Sequence, residues 1–278
     1  MKLAELRKEY HRRICQHVLR LSDGIPNIAD VGNRASKAIA LRLVEQLEYS
    51  VTEEILSGQS KGVLFEQVTR EFLNKAFSLL LHLRPGEWRF EIGRSIADFE
   101  QYRHLAYLQE TLSRNPELAS ALGSDYLVTP DIIVARSPLS DREINRIDQV
   151  VDESLARYSP LRAINRSEFT PLLHASISCK WTIRSDRSQN VRTEALNLIR
   201  NRKGHTPKIV IVTAEPLPTR LASLALGTGD LDCVYHFALP ELTQAVKEIS
   251  EDQADMLDTM INGNRLRDIS DLPLDLAI

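Results

Sequence analysis

The chain is poor in the residues that staple small proteins together. Only three of its 278 residues are cysteine (Cys15, Cys179, Cys233), widely spaced and without a Cys-x-x-Cys pair. That pattern excludes a disulfide framework and predicts reduced thiols in a cytoplasmic setting. The seven histidines show no zinc-type spacing. No apolar run approaches the roughly 20 residues that a membrane-spanning helix needs. The charged start, Met-Lys-Leu-Ala-Glu-Leu-Arg-Lys-Glu, lacks the uninterrupted apolar stretch of a secretory signal. Low-complexity segments and internal repeats are missing as well. What remains is a chain that is 43% hydrophobic and 26% charged. Such a composition suffices for a sizeable core without metal or disulfide support.

Charge is scarce in total and uneven in place. The net charge of -3 argues against a generally basic coat for nucleic acid. Yet residues 180–208 carry eight basic side chains against only Asp186 and Glu194, while residues 230–278 carry eleven acids against Lys247, Arg265 and Arg267. Segregation of this kind suits a phosphate-binding site on an otherwise neutral protein, although a solvated basic helix would look the same.

Periodicity divides the chain into two styles. Apolar spacing predicts helices over 1–22, over 35–56 (Ile39, Leu43, Leu47, Val51, Ile55) and over 63–83. The Ser57-Gly58-Gln59-Ser60 stretch breaks the second from the third. A short strand near Trp88–Ile92 precedes helical stretches at 99–112 and 117–122. The second half alternates strands at 131–135, 174–183, 208–213 and 232–237 with helices at 190–201 and beyond Pro240 and Asp252. Strands embedded between helices predict an α/β fold, a central sheet flanked by helices, with the N-terminal helices 1–85 in the same single domain of 1–278.

One constellation carries chemistry. Pro130-Asp131 opens a strand, Ser178-Cys179-Lys180 lies within another, and Glu194 sits on the following helix. Side chains alternate along a strand, so Ser178 and Lys180 share a face and Cys179 points away, as a buried structural thiol. Two carboxylates and a lysine on neighbouring elements supply hard oxygen ligands for Mg²⁺ and a cation beside a metal-bound water. That is the equipment of metal-dependent phosphodiester hydrolysis. Each piece taken alone occurs by chance in many proteins.

Together with its flanking blocks, this constellation resembles a known family. The segments 124–134 (Ser-Asp-Tyr-Leu-Val-Thr-Pro-Asp-Ile-Ile-Val), 174–187 (His-Ala-Ser-Ile-Ser-Cys-Lys-Trp-Thr-Ile-Arg-Ser-Asp-Arg), 194–204, 226–229, 232–239 and 268–277 are similar, in order, to the CCGG-cutting branch of the PD-(D/E)XK type II restriction endonucleases. The similarity spans most of 58–278, is looser over the first 57 residues, and implies the restriction-endonuclease-like fold, a central mixed sheet flanked by helices. The branch's pattern is Pro-Asp, then Lys, thirteen residues, then Glu. Here thirteen residues separate Lys180 from Glu194, and Ser178 stands where most PD-(D/E)XK enzymes keep an acid. The resemblance therefore implies that Asp131 and Glu194 hold Mg²⁺, two ions per site, and that Lys180 serves the water. Glu66, on its own a solvent-facing helix residue, would hold water near the metals, and Ser178 would assist.

Base reading is implied in the same way. Arginine suits guanine O6/N7 and a carboxylate suits cytosine N4. Arg184, Asp186 and Arg187 correspond to residues reading the CCGG core, although a helix-capping Ser/Asp flanked by surface arginines would give the same letters. Asp30 and Arg220 correspond to readers of the outer base pair, and Gln59 to a minor-groove contact. Arg220 is expected at the end of a proline-stiffened loop, 215–219. The resemblance further implies double-stranded DNA as partner, GCCGGC as the site, cleavage after the first G leaving four-base 5′ overhangs, and a homotetramer. A cognate methyltransferase belongs in the same host, with no contact implied. The rivals are a nuclease with another flanking base pair and a non-cleaving, sequence-specific DNA-binding protein of the same fold.

Overall fold

The computed structural model describes residues 2–53, 57–123, 126–163, 170–227 and 229–278, with the side chains of residues 122 and 185–187 left outside that description. Chain order is α1 (Leu3–His17), β1 (Leu21–Ser22), β2 (Ile25–Pro26), α2 (Arg34–Leu47), α3 (Gly58–Ser78) and β3 (Trp88–Ile92). Two 3₁₀ turns then lead to α4 (Arg103–Ser113), α5 (Pro116–Leu122), β4 (Ile132–Arg136), α6 (Asp141–Ile144), β5 (Leu172–Lys180) and α7 (Ser185–Asn201). The chain closes with β6 (Lys208–Thr213), α8 (Pro218–Ala225), β7 (Cys233–His236), α9 (Leu239–Ile249), α10 (Glu251–Asn262), β8 (Leu266–Asp268) and α11 (Leu272–Leu276).

Strands β3 to β8 form one six-stranded sheet in sequence order. Pairs β3–β4 and β4–β5 are antiparallel, whereas β5–β6, β6–β7 and β7–β8 are parallel. The sheet is thus mixed, as the resemblance implies; only its parallel half, β5 to β8, follows from the alternation of strands with helices. Parallel neighbours need crossovers, and α7, α8 and the α9–α10 pair supply them. Strands β4 to β7 are almost wholly buried, which accounts for the apolar runs of β4 and β6, while β5 buries Ser176 and Ser178 among its apolar residues.

The core is continuous from Leu6 on α1 to Leu276 on α11. Helix α3 packs on α1 and reaches both β3 and β5. Phe65 stands edge-on to Trp181 with ring centroids 5.0 Å apart, and Trp181 in turn meets Phe237. Burying a side chain of this size contributes about 1.5–3 kcal/mol. The contact fixes the helix carrying Glu66 against the end of the strand carrying Lys180.

Four expected elements are corrected. The first helix stops at His17 rather than residue 22. The second stops at Leu47, because Glu48 turns left-handed at φ +59°. Val51 keeps its apolar spacing and packs on the core without being helical, while Leu21 N–H donates to Thr52 O (3.2 Å). Residues 54–56 of that predicted helix lie outside the described ones. Residues 57–60 do not interrupt the chain; Ser57 caps α3, its Oγ accepting from Ser60 N–H at 3.1 Å. Finally, Arg220 is not at the end of a loop. Pro218 occupies the first turn of α8, where a missing N–H costs nothing, and Arg220 lies within that helix.

Candidate active site

The antiparallel register of β4 and β5, with Ile132 opposite Ile177, brings Asp131 to the end of β5. One oxygen of its carboxylate does two tasks. Asp131 Oδ2 accepts from the backbone N–H of Cys179 (2.7 Å) and from Lys180 Nζ (2.8 Å). The backbone contact locks the carboxylate on the strand, and the side-chain contact locks the lysine. Ser178, on the same face as Lys180, is buried at 8% exposure. Cys179 is buried too, and burial pushes its thiol well above the usual range. It is a packed thiol and not a nucleophile.

Two more carboxylates share this electrostatic neighbourhood. Burial, reinforced by the charge of Asp131 and opposed by Lys180, pushes Glu66 up to about 7. Burial likewise raises Glu194, with Lys180 pulling the other way and Asp131 adding to the rise. Burial disfavours the Lys180 ammonium, but the ion pair with Asp131 outweighs it and the net shift is upward. Three half-buried carboxyls therefore act on one ammonium, Asp131 by direct contact and Glu66 and Glu194 through their charge.

Such a set is short of positive charge, and its hard oxygens fit a divalent cation. Among the described residues, no three His, Cys, Asp or Glu side chains gather tightly enough to enclose a metal on their own.

The site opens into a cleft of about 1300 Å³ lined by residues 27–31, Lys61, Lys180, Arg184, Asn190, Glu194, Thr219 and Arg220, among others. Of the predicted base readers, Asp30, Arg184 and Arg220 line it. Arg184 is exposed at the N-cap of α7. Asp186 and Arg187 fall on the first turn of α7, but their side chains lie outside the described residues. Gln59 is exposed on the first turn of α3. Asp30 and Arg220 are paired with each other. Asp30 also accepts from Gly32 N–H (3.0 Å), and these two contacts hold its carboxyl below the usual range.

Much of the basic stretch is committed internally and does not form a free phosphate-binding face. Arg192 pairs with Asp230 and donates to the carbonyls of Ser223 and Leu226 (2.8 and 2.9 Å). Arg202 donates to Ile199 O and Lys208 to Asp275 O.

One residue behind the cleft, in contact with its lining residues Ile183 and Arg220, escapes sequence reasoning. Glu215, fully buried between β6 and α8, accepts from Ile183 N–H (2.9 Å) and Leu217 N–H (3.2 Å). Its Oε2 stands 3.9 Å from Arg220 Nη1. The available signal was an acid placed between a buried strand and two prolines, Ala214-Glu215-Pro216-Leu217-Pro218.

Comparison with known proteins bears on this geometry. A family model described as the NgoMIV restriction enzyme matches residues 10–278. The type II restriction enzyme NgoMIV of Neisseria gonorrhoeae is 51% identical over a 280-position alignment covering 98% of this chain and 97% of that enzyme. Among solved structures, a complex of the restriction endonuclease PspGI with substrate DNA aligns at a TM-score of 0.38 and 19% identity, covering 78% of this chain and 60% of that one.

Proposed function

The chain belongs to the NgoMIV restriction enzyme family, and we propose that it is a Mg²⁺-dependent type II site-specific deoxyribonuclease acting on GCCGGC in double-stranded DNA. Cleavage follows the first G and leaves four-base 5′ overhangs. The observation that carries this reading is the shared Asp131 oxygen, which ties Lys180 to a carboxylate beside two further carboxyls raised by burial. Unneutralised carboxylates beside a phosphate backbone repel it. A non-cleaving DNA-binding protein gains nothing from keeping three of them around one lysine.

In this mechanism Asp131 and Glu194 would hold the metal, two ions per site, and Mg²⁺ bound there would supply neutralisation of phosphate charge and a more acidic water. Lys180, fixed by Asp131, orients the attacking water and stabilises charge growing on the phosphate. Glu66, poised at about 7, accepts a hydrogen bond from that water, and the Ser178 hydroxyl supports the same face. Plasmid DNA incubated with the protein tests the reading. Discrete fragments are expected with Mg²⁺ and none without it; retention of DNA without cutting in either condition favours the binding-protein rival.

Arg184, Asp186 and Arg187 read the CCGG core, and Gln59 reaches the minor groove. The outer pair falls to Asp30 and Arg220. Their mutual ion pair sets a donor fork beside an acceptor, complementary to the acceptors of guanine and the N4 donor of its paired cytosine. A bidentate base contact discriminates by about 1–3 kcal/mol. Arg220→Ala is therefore expected to lose about ten- to a hundredfold of the preference for GCCGGC over ACCGGT while still requiring CCGG. A uniform loss on both sites would make Arg220 a phosphate contact instead.

The partner set includes further copies of the chain, as a homotetramer. Supporting this, Ile147, Val150, Leu155 and Tyr158 stand 85%, 61%, 56% and 93% exposed on one segment after α6. That segment is ordered rather than loose. The buried Arg162 side chain grips Asp141 (2.5 and 2.6 Å) and donates to Asp152 O (2.7 Å) and Leu155 O. A built surface with exposed apolar side chains suits association. Sedimentation is expected at about 126 kDa, four chains of 31.5 kDa; about 63 kDa would reduce the assembly to a dimer. The continuous core supports one nuclease domain over 1–278, the N-terminal helices included. The three unpaired cysteines support a cytoplasmic setting, and a cognate methyltransferase is expected in the same host. No described helix is long and apolar enough to cross a membrane.

A further inference from the structure

We propose that Glu215 is a positioning residue for sequence recognition, joining the segment that reads the inner bases to the pair that reads the outer one. The inference rests on the base-reading assignment above and deepens it. Glu215 is fully buried, and a buried carboxylate is costly unless its charge is met by hydrogen bonds or a partner. Its two oxygens find partners on two different elements. Oε2 accepts from the backbone N–H of Ile183 at 2.9 Å, the residue directly before Arg184. Oε1 accepts from the backbone N–H of Leu217 at 3.2 Å, the N-cap of α8 and three residues from Arg220. The backbone that carries it is held in turn, because Glu215 N–H donates to Thr213 Oγ1 (3.2 Å) at the end of β6.

Charge extends the connection. Arg220 Nη1 lies 3.9 Å from Glu215 Oε2, while Arg220 Nη2 pairs with Asp30. Glu215 thus supports the guanidinium from behind while Asp30 holds it from the loop following β2. The start of α7, α8 and the Asp30 loop are far apart in sequence, and this one carboxylate contacts the first two directly and the third through Arg220. Base contacts demand placement within a fraction of an ångström, so a shared anchor sets the spacing between inner and outer readers. Glu215 touches no base in this scheme. Its influence passes through Ile183, Leu217 and Arg220.

The test uses Glu215→Gln in the full-length protein. The amide keeps the volume but has one acceptor oxygen, so one of the two backbone N–H groups faces an NH₂ and the support of Arg220 is lost. Binding is measured by fluorescence anisotropy in Ca²⁺ for three duplexes, containing GCCGGC, ACCGGT, or no CCGG. The expected result is a fall of about tenfold or more in the GCCGGC-to-ACCGGT affinity ratio, with affinity for the duplex lacking CCGG changed less than about twofold. An unchanged ratio overturns the proposal, and so does an equal loss on all three duplexes, which would mark a merely structural role. Where Glu215→Gln does not fold, Glu215→Asp serves: it keeps the charge but is one methylene too short to reach both N–H groups. The same fall supports the proposal and an unchanged ratio overturns it. Failure of the underlying reading looks different, since the unmodified protein would then fail to prefer either CCGG duplex over the third.

Discussion

Lys180→Ala is expected to lower the single-turnover cleavage rate by about a thousandfold or more, corresponding to about 4 kcal/mol of transition-state stabilisation. Its ammonium is held by Asp131 at 2.8 Å and stands at the end of β5, beside the cleft. Specific binding in Ca²⁺ should survive, because the lysine reads no base. Asp131→Asn should match it in cleavage. Asparagine is the informative replacement here, since its carbonyl can still accept from Cys179 N–H, a contact of 2.7 Å in the native protein. Alanine would leave that N–H unpaired beside the core, at about 1–3 kcal/mol, and would confuse folding with chemistry. Cleavage within a few-fold of the native rate by either variant would remove both residues from the mechanism.

Glu194→Ala should be as inactive as Asp131→Asn, although Glu194 lies on a helix and not on the lysine's strand. The usual acidic position two residues before the lysine is taken by Ser178, so no strand carboxylate substitutes for the loss. The charge of Glu194 already acts on Lys180 and that of Asp131 on Glu194. Removing it leaves Asp131 with Glu66 as the remaining carboxylates near the lysine. Restoring an acid with Ser178→Asp in the Glu194→Ala background should then recover part of the activity. Normal cutting by Glu194→Ala would mean that another carboxylate fills the role. Recovery in the double variant would show that the task can be moved between strand and helix.

How much of this was legible depended on whether the deciding interaction is local. Strands β3 and β6 match their sequence-based limits because alternation in Trp88–Ile92 and the β-branched run before Thr213 have no competing helical reading. The roles of Lys180 and Glu194 are implied by the resemblance alone, whereas their nearness follows from a strand end and the next helix being joined by one short turn. Strand β8 was missed: its three residues, Leu266–Asp268, are strand only because β7 lies alongside. The first two residues of α8, Pro218 and Thr219, read as loop because proline at a first helical turn and proline in a loop look alike in sequence. The end of α2 was overrun because Val51 continues the apolar spacing, and the left-handed turn at Glu48 leaves no local mark. Glu215 was invisible for the deepest reason. Its partner Ile183 lies 32 residues away, and only the fold makes that carboxylate a neighbour of the segment leading into α7.

The central claim is that this chain cuts one sequence with the Asp131, Lys180 and Glu194 set. Sequencing the ends of plasmid fragments produced in Mg²⁺ tests it most directly. The account predicts that every end derives from GCCGGC, cut after the first G, with a four-base CCGG 5′ overhang. Ends scattered without a common sequence, or an intact plasmid at saturating protein and Mg²⁺, would contradict it.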